Sequence, residues 1–237
     1  MNQTLYILEL VKSSGASVAG IIKASSLGRS QFNLNTNSIL VFGLYHSKDE
    51  LSLDWWGGEG GSPGNRKMED IAAALIHRLR KNLEVKAYLL PYHAKKGGVF
   101  LKDAAVLAGL GTIGKNNLVI SPEFGPRIRW RAIGLDSTVA PSEARLLFDP
   151  CADCDMPCRR ACPQGAFAEG SYRRESCMHQ MSKDEADQFV SLEDQANIDS
   201  DFNPVKYCRA CEMACPFPSS NPVQMKKKRI VPNYDQV

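Results

Sequence analysis

The sequence predicts an α/β or α+β unit built on a central sheet, followed by a small cysteine-rich unit. Three observations carry this expectation. Over the first 145 residues, short apolar runs bounded by Ser, Asn and Gly alternate with amphipathic stretches. All eight cysteines lie between positions 151 and 215. After about residue 146, long apolar runs give way to prolines and short polar segments, a texture that suits a domain supported by a cofactor more than by a large apolar core. The expected boundary therefore separates residues 1–145 from residues 146–237.

The elements follow in order. "TLYILELVKSSG" predicts a helix that stops at Gly15, and "SVAGIIKAS" and "SILVFGLYH" predict buried strands. "LDWWGGEGGSPGNR" is a glycine-rich loop, in which Trp55 and Trp56 either cover a flat ligand or anchor the chain. "KMEDIAAALIHRLRKN" places Met68, Ile71, Ala72, Leu75, Ile76 and Leu79 on one helical face. "LEVKAYLL" predicts a strand and "FLKDAAVLAG" a short helix. "NNLVIS" and "RIRWRAIGL" predict two strands joined through "PEFGP". Alternation along the last strand puts Arg127, Arg129 and Arg131 on one face.

Composition excludes several classes. The chain has 237 residues, 43% of them hydrophobic and 23% charged, with a net charge of +3 and a pI near 8.4. That balance is ordinary for a soluble globular protein and too mild to point to nucleic acid. The basic stretch "MKKKRIVPN" reads as a solvated end. No apolar run approaches the ~18 residues of a membrane span. The segment "MNQTLYILELVKSSGAS" carries Glu9 within its apolar stretch and lacks the basic start of a signal peptide. A cytoplasmic protein without membrane partners is expected.

The cysteines are the most specific signal. "CADCDMPCRRACP" places Cys151, Cys154, Cys158 and Cys162 ahead of Pro163. "CRACEMACP" places Cys208, Cys211 and Cys215 ahead of Pro216, and Cys177 stands between the two groups. The spacing follows the ferredoxin pattern, in which three close thiolates wrap one four-iron cluster and the cysteine before proline crosses to the other. Two such clusters need eight thiolates. The expected sets are Cys151, Cys154, Cys158 and Cys215 for the first [4Fe-4S] cluster, and Cys162, Cys177, Cys208 and Cys211 for the second. One extra residue between Cys154 and Cys158, with Pro157 inside the gap, departs from the pattern. Two four-thiolate zinc sites are the alternative. His179 could substitute for Cys177, but its spacing reads more simply as a surface histidine.

"AGLGTIGKNN" at residues 108–117 matches a dinucleotide fingerprint and the tail of a phosphate-binding loop. Neither survives its context. A dinucleotide site needs a helix after the glycines, and here β-type residues and prolines follow. A phosphate-binding loop needs Ser or Thr after Lys115, and Asn116 stands there.

"LKDAAVLAGLGTIGKNNLVISPEFGPRIRWRAI", followed by two Cys-Pro motifs, resembles the tRNA epoxyqueuosine reductases and, more distantly, the reductive dehalogenases. The resemblance covers roughly residues 85–217. It implies a nitroreductase-like cobalamin-binding domain followed by a small ferredoxin-like domain with two [4Fe-4S] clusters that pass single electrons to cobalt. By the same resemblance, Gly109, Gly111 and Gly114 would admit the macrocycle, and Lys115 and Asn116 would bond its amide rim or phosphate tail. The three strand arginines would meet anionic groups of the corrinoid or face water. A flavin in the same cavity is the alternative. Two features depart from the epoxyqueuosine reductases. Lys95 stands where they carry an acidic proton donor, and the sequence stops about twenty residues after Cys215 where they continue into a helical-repeat extension. Both speak against epoxyqueuosine in tRNA as the substrate. Tyr92, His93 and Lys95, at a predicted strand end, become the expected proton donors, with a solvated basic turn as the bland alternative. Two functions stay open: a reductase acting on a small molecule, and an electron-transfer protein that docks on and reduces a partner such as a corrinoid protein.

Overall fold

The structure is a computed structural model that describes residues 2–27, 36–56, 62–142, 148–187 and 205–218. Its centre is a four-stranded sheet in the order β1 (Val18–Lys23), β2 (Ser38–Tyr45), β6 (Ile128–Leu135), β3 (Ala87–Leu89). Every pairing is antiparallel. The expected α/β or α+β class thus resolves as a mixed α and β fold on an antiparallel sheet. A separate hairpin joins β4 (Thr112–Ile113) to β5 (Val119–Ile120).

Helix α1 (Gln3–Ser13) is capped by the Asn2 side chain, which accepts the Thr4 N–H at 2.9 Å. Helix α2 (Pro63–Leu83) begins four residues before the expected "KMEDI" start. The Ser62 side chain caps it and Pro63 takes the first turn, a start signal that the glycine-rich stretch concealed. These two helices cover one face of the sheet through Ile7, Leu10, Val11, Met68, Leu75 and Leu79. Helix α3 (Leu101–Leu107) and the hairpin cover the other, with Val99, Ala104, Ala105 and Val119 against Val41, Trp130 and Ala132.

Strand β6 lies between β2 and β3 and is buried along its whole length. Arg127, Arg129 and Arg131 are therefore inside the protein, at 4%, 5% and 6% exposure. The alternative that they face water is corrected by this placement: period-2 alternation names a shared face, and here the elements packed on both faces of the sheet leave neither of them wet.

The cysteine-rich unit contains short helices α4 (Pro157–Arg160) and α6 (Ala210–Met213) and the longer, polar α5 (Arg174–Asp187). Its buried apolar residues among those described are few, chiefly Cys158, Ala166 and Phe167. The unit is stitched to the sheet domain by a two-way bridge between Trp56 and Val205, with N–H···O distances of 2.9 and 2.8 Å. No helix among the described residues is long and apolar enough to cross a membrane.

Candidate functional site

The glycine-rich motif forms the β4–β5 hairpin. Gly109 has φ +71°, which favours glycine. A Cβ on Gly111 would stand 2.5 Å from the Ile120 carbonyl oxygen, and one on Gly114 would collide with the Ile120 side chain. These glycines let the two arms of the hairpin close on each other, and they do not line the main cavity. Gly111→Ala is expected to lower stability by about 1–3 kcal/mol through forced separation of the hairpin, read from chemical denaturation.

The tip of this hairpin reaches both groups of cysteines. The Lys115 N–H points at Cys151 Sγ at 3.4 Å, and the Asn116 side-chain amide donates to the Cys211 carbonyl at 3.5 Å. The Lys115 side chain is exposed, whereas Asn116 is buried.

The eight thiols are unpaired by disulfides and fall into two neighbourhoods. Burial, then the adjacent Cys151 and Cys154, push the Cys158 thiol up; burial, then Cys158, Cys151 and Cys154, do the same to Cys215. Burial, Glu212, Cys208, Cys177 and Cys162 push Cys211 up to about 12. Cys208 is likewise raised, by burial first and also by Cys162 and Cys177. These neighbourhoods coincide with the two sets into which the ferredoxin-like spacing divides the cysteines. The extra residue before Cys158 is taken up locally: Met156 adopts a left-handed conformation, φ 56°, and Pro157 opens helix α4, which carries Cys158. Among the described residues, no three His, Cys, Asp or Glu side chains converge on a point that one metal ion could fill.

A cavity of about 540 Å³ opens between the sheet domain and the second cysteine set. Cys162, Cys177, Cys208 and Cys211 all line it, facing Trp56 and Tyr92; none of the first set does. Of the residues expected at the site, Tyr92, His93 and Asn116 line this cavity. Lys95 lies on the short turn Ala94–Lys96 beside them and is not among the lining residues. A smaller pocket of about 190 Å³ adjoins it, sharing Trp56, Tyr92 and Lys102 and reaching Arg129 and Arg131.

Two features escaped sequence reasoning. Lys102, on α3, lines both cavities, donates to the Asn117 carbonyl and has its pKa lowered by burial. Its signal was a lysine beside Asp103 in a short, mostly apolar helix. The second is a buried ionic network that joins the two units. Burial lowers the His46 pKa to about 4, so the ring is neutral at pH 7; it donates through Nδ1 to Asp54 at 2.8 Å and accepts from Arg209 at Nε2 at 2.8 Å. Burial works against ionised Asp54, but the His46 hydrogen bond and the Arg209 and Arg127 guanidiniums outweigh it and hold its pKa below the usual range. Arg127 bridges Asp54 at 3.2 Å and Glu212 at 3.0 Å, and Arg209 contacts both carboxylates as well.

An antiparallel α and β scaffold that presents a cleft to an eight-cysteine module defines the class of this protein. The comparisons then make it particular. Over 121 residues the chain is 31% identical to an epoxyqueuosine reductase of Listeria monocytogenes, covering 49% of this chain and 30% of that protein. Over 155 residues it is 30% identical to the Staphylococcus aureus epoxyqueuosine reductase, covering 64% and 37%. A tetrachloroethene reductive dehalogenase of Desulfitobacterium hafniense matches at 30% over 110 residues, covering 41% and 20%. These matches span between 20% and 37% of the relatives' own length. The structure of epoxyqueuosine reductase from Streptococcus thermophilus superposes with a TM-score of 0.60 at 20% identity, over 91% of this chain and 66% of that one. A catabolic reductive dehalogenase gives 0.62 at 16% identity, over 89% and 31%. No family model matches the chain. The chain is thus similar in sequence, over part of its length, to epoxyqueuosine reductases and reductive dehalogenases, and it shares their fold.

Proposed function

We propose that this chain is an iron–sulfur reductase whose two [4Fe-4S] clusters deliver low-potential electrons to a corrinoid in the cleft, for the reduction of a small molecule. On this reading the sheet domain is the nitroreductase-like, cofactor-binding unit and the cysteine-rich unit is ferredoxin-like. The observation that carries it is the grouping of eight free thiols into two sets of four, with one set lining a cavity. Two sets of four thiols match the eight thiolates that two four-iron clusters require.

The cleft suits a corrinoid. Asn65, Asn116, Asn117, Gln164 and Gln180 line it, and carboxamides both donate and accept, as an amide-rimmed ring requires. Trp56, Tyr92, Phe167 and Tyr172 supply flat apolar faces. When bound, the clusters store and release single electrons and the corrinoid supplies a reducible cobalt. Cys162, Cys177, Cys208 and Cys211 would hold the cluster at the cavity; Cys151, Cys154, Cys158 and Cys215 would hold the one a redox partner protein reaches first. Tyr92 and His93 would give protons to the reduced substrate from the cavity wall. Lys102 would keep that wall positively charged. By sequence spacing alone Lys95 stands where the resembled reductases carry an acidic donor, which supports a substrate other than epoxyqueuosine in tRNA.

Tyr92→Phe deletes one hydroxyl from an exposed ring and is expected to slow turnover about a hundredfold with iron content unchanged. Anaerobic purification, cofactor extraction with mass determination and visible spectra test the whole reading. Recovery of a corrinoid with iron supports it. A flavin instead would move the chemistry to that ring. Stoichiometric zinc with little iron would end the proposal, and binding of neither corrinoid nor flavin would leave an electron carrier that reduces a partner.

A further inference from the structure

Helix α5 has no buried residue, yet it carries Cys177 to the wall of the large cavity. Cys177, Gln180, Met181 and Asp184 follow one another at i, i+3, i+4 and i+7, the spacing of a single helical face. The first three line the cavity, and Asp184, one turn further on, does not.

A relay of hydrogen bonds runs from this face to the other cysteines of the second set. Gln164, two positions past Cys162, donates its side-chain amide to the Gln180 oxygen at 2.7 Å. Gln180 donates in turn to Asp184 Oδ1 at 2.9 Å, and the Cys208 N–H donates to Asp184 Oδ2 at 2.7 Å. The carboxylate fixes the direction of every link. It only accepts, so Gln180 must turn its nitrogen to Asp184 and its oxygen to Gln164. Three segments are tied together in this way: the run that ends at Cys162, the helix that carries Cys177 and the run that begins at Cys208.

The other acidic groups nearby are differently engaged. Glu185 accepts the Tyr207 hydroxyl at 2.6 Å, and Glu212 is held by Arg127 and Arg209. Asp184 has no cationic partner among the described residues. Its negative charge adds to burial, the larger cause, in pushing the Cys208 thiol up.

We infer that Asp184 is a positioning residue of the second cluster and sets its potential: the relay holds Cys208 in place relative to Cys162 and Cys177, and the carboxylate charge beside Cys208 lowers the reduction potential of the cluster they hold. Reduction adds a negative charge, and a fixed negative charge close by opposes it. The inference rests on the proposed function in taking these thiols as ligands of one [4Fe-4S] cluster, and a lowered potential is what that function asks of the cluster at the cavity.

The test uses the anaerobic, iron-loaded chain. The signal that Cys177→Ser removes identifies the second cluster, and the first serves as the reference. In Asp184→Asn the carbonyl oxygen still accepts the Cys208 N–H while Gln180 and Gln164 turn their amides over, so each link is kept and the charge alone is lost. With iron content unchanged, the potential of the second cluster is expected to rise by about tenfold in the reduction equilibrium, about 59 mV for a one-electron couple. Redox titration followed by electron paramagnetic resonance reads it. Glu185→Gln removes a charge that makes no bond to a cysteine and is expected to shift the potential less. Asp184→Leu cuts the relay and is expected to release the second cluster's iron to a chelator about tenfold faster than the wild type, with the first cluster unaffected. Gln180→Leu cuts it one link away and decides this point should Asp184→Leu not fold. An unchanged potential or a lost cluster in Asp184→Asn, an equal shift in Glu185→Gln, or iron release at the wild-type rate once the relay is cut overturns the inference. A chain that holds no iron sinks the proposed function and this inference together, whereas two clusters indifferent to Asp184 sink the inference alone.

Discussion

On the proposed function, Cys177→Ser is expected to halve the iron and acid-labile sulfide of the anaerobic chain, from about eight of each to about four, and to abolish the proposed reduction. Cys177 lies in the first turn of α5 and neighbours Cys208 and Cys211, whereas Cys151, Cys154, Cys158 and Cys215 form the other group. Losing it should therefore remove one spectroscopic cluster and spare the other. Activity falls altogether because the affected set is the one that lines the cavity. Iron analysis and low-temperature electron paramagnetic resonance read the result. Loss of all iron would mean that the two sets form only together. Retention of all iron would mean that Cys177 is no ligand; His179, on the same helix, is exposed.

Arg127→Leu is expected to cost about 3–5 kcal/mol, because it strips a guanidinium from two buried carboxylates and leaves both to Arg209. The side chains concerned are 4% exposed for Arg127, 5% for Asp54 and 9% for Glu212. Arg127 also donates to the His46 and Ser47 carbonyls, each at 2.9 Å, and leucine leaves those groups unanswered. For a chain of this size the midpoint of thermal unfolding should fall by roughly 10 °C. The exposed Arg160–Asp155 pair is a built-in control: its contact is shorter, 2.7 Å, but its side chains are 64% and 75% exposed. Its removal should cost less than about 1 kcal/mol. Equal losses from the two replacements would show that the buried network does not hold the units together.

What the sequence could and could not reveal follows from the range of each signal. The division of the cysteines into two neighbourhoods was legible, because short spacings confine three thiols to one loop whatever the rest of the fold does. The helices and long strands were legible from periodicity, and the failure of the nucleotide motif from the residues after Gly114. One arm of the hairpin, β5, falls in the expected strand "NNLVIS"; the other, Thr112–Ile113, was not legible, since two residues carry no period. The burial of the three arginines depended on what covers the face they share, and the groups that cover it, such as Leu53, Asp54, Trp55 and Asn65, lie tens of residues upstream. The partners of Arg127 are equally distant: Asp54 is 73 positions away and Glu212 is 85. Lys95 was placed by analogy with a relative's loop, and the chain folds its own loop into a short turn beside the cavity.

That network bears on how such a protein can be rearranged. Ferredoxin-like cysteine motifs look portable, because their ligands come in compact runs. Here, Arg209 and Glu212 lie among the cysteines of the last run, and both reach back to charged groups of the sheet domain. An exchange of the cysteine-rich unit for another with the same thiol spacing would conserve every cysteine and still take Arg209 from Asp54 and Glu212 from Arg127, leaving those two only each other as charged partners in the interior. A donor that carries an arginine and a carboxylate at those two positions would keep the network whole.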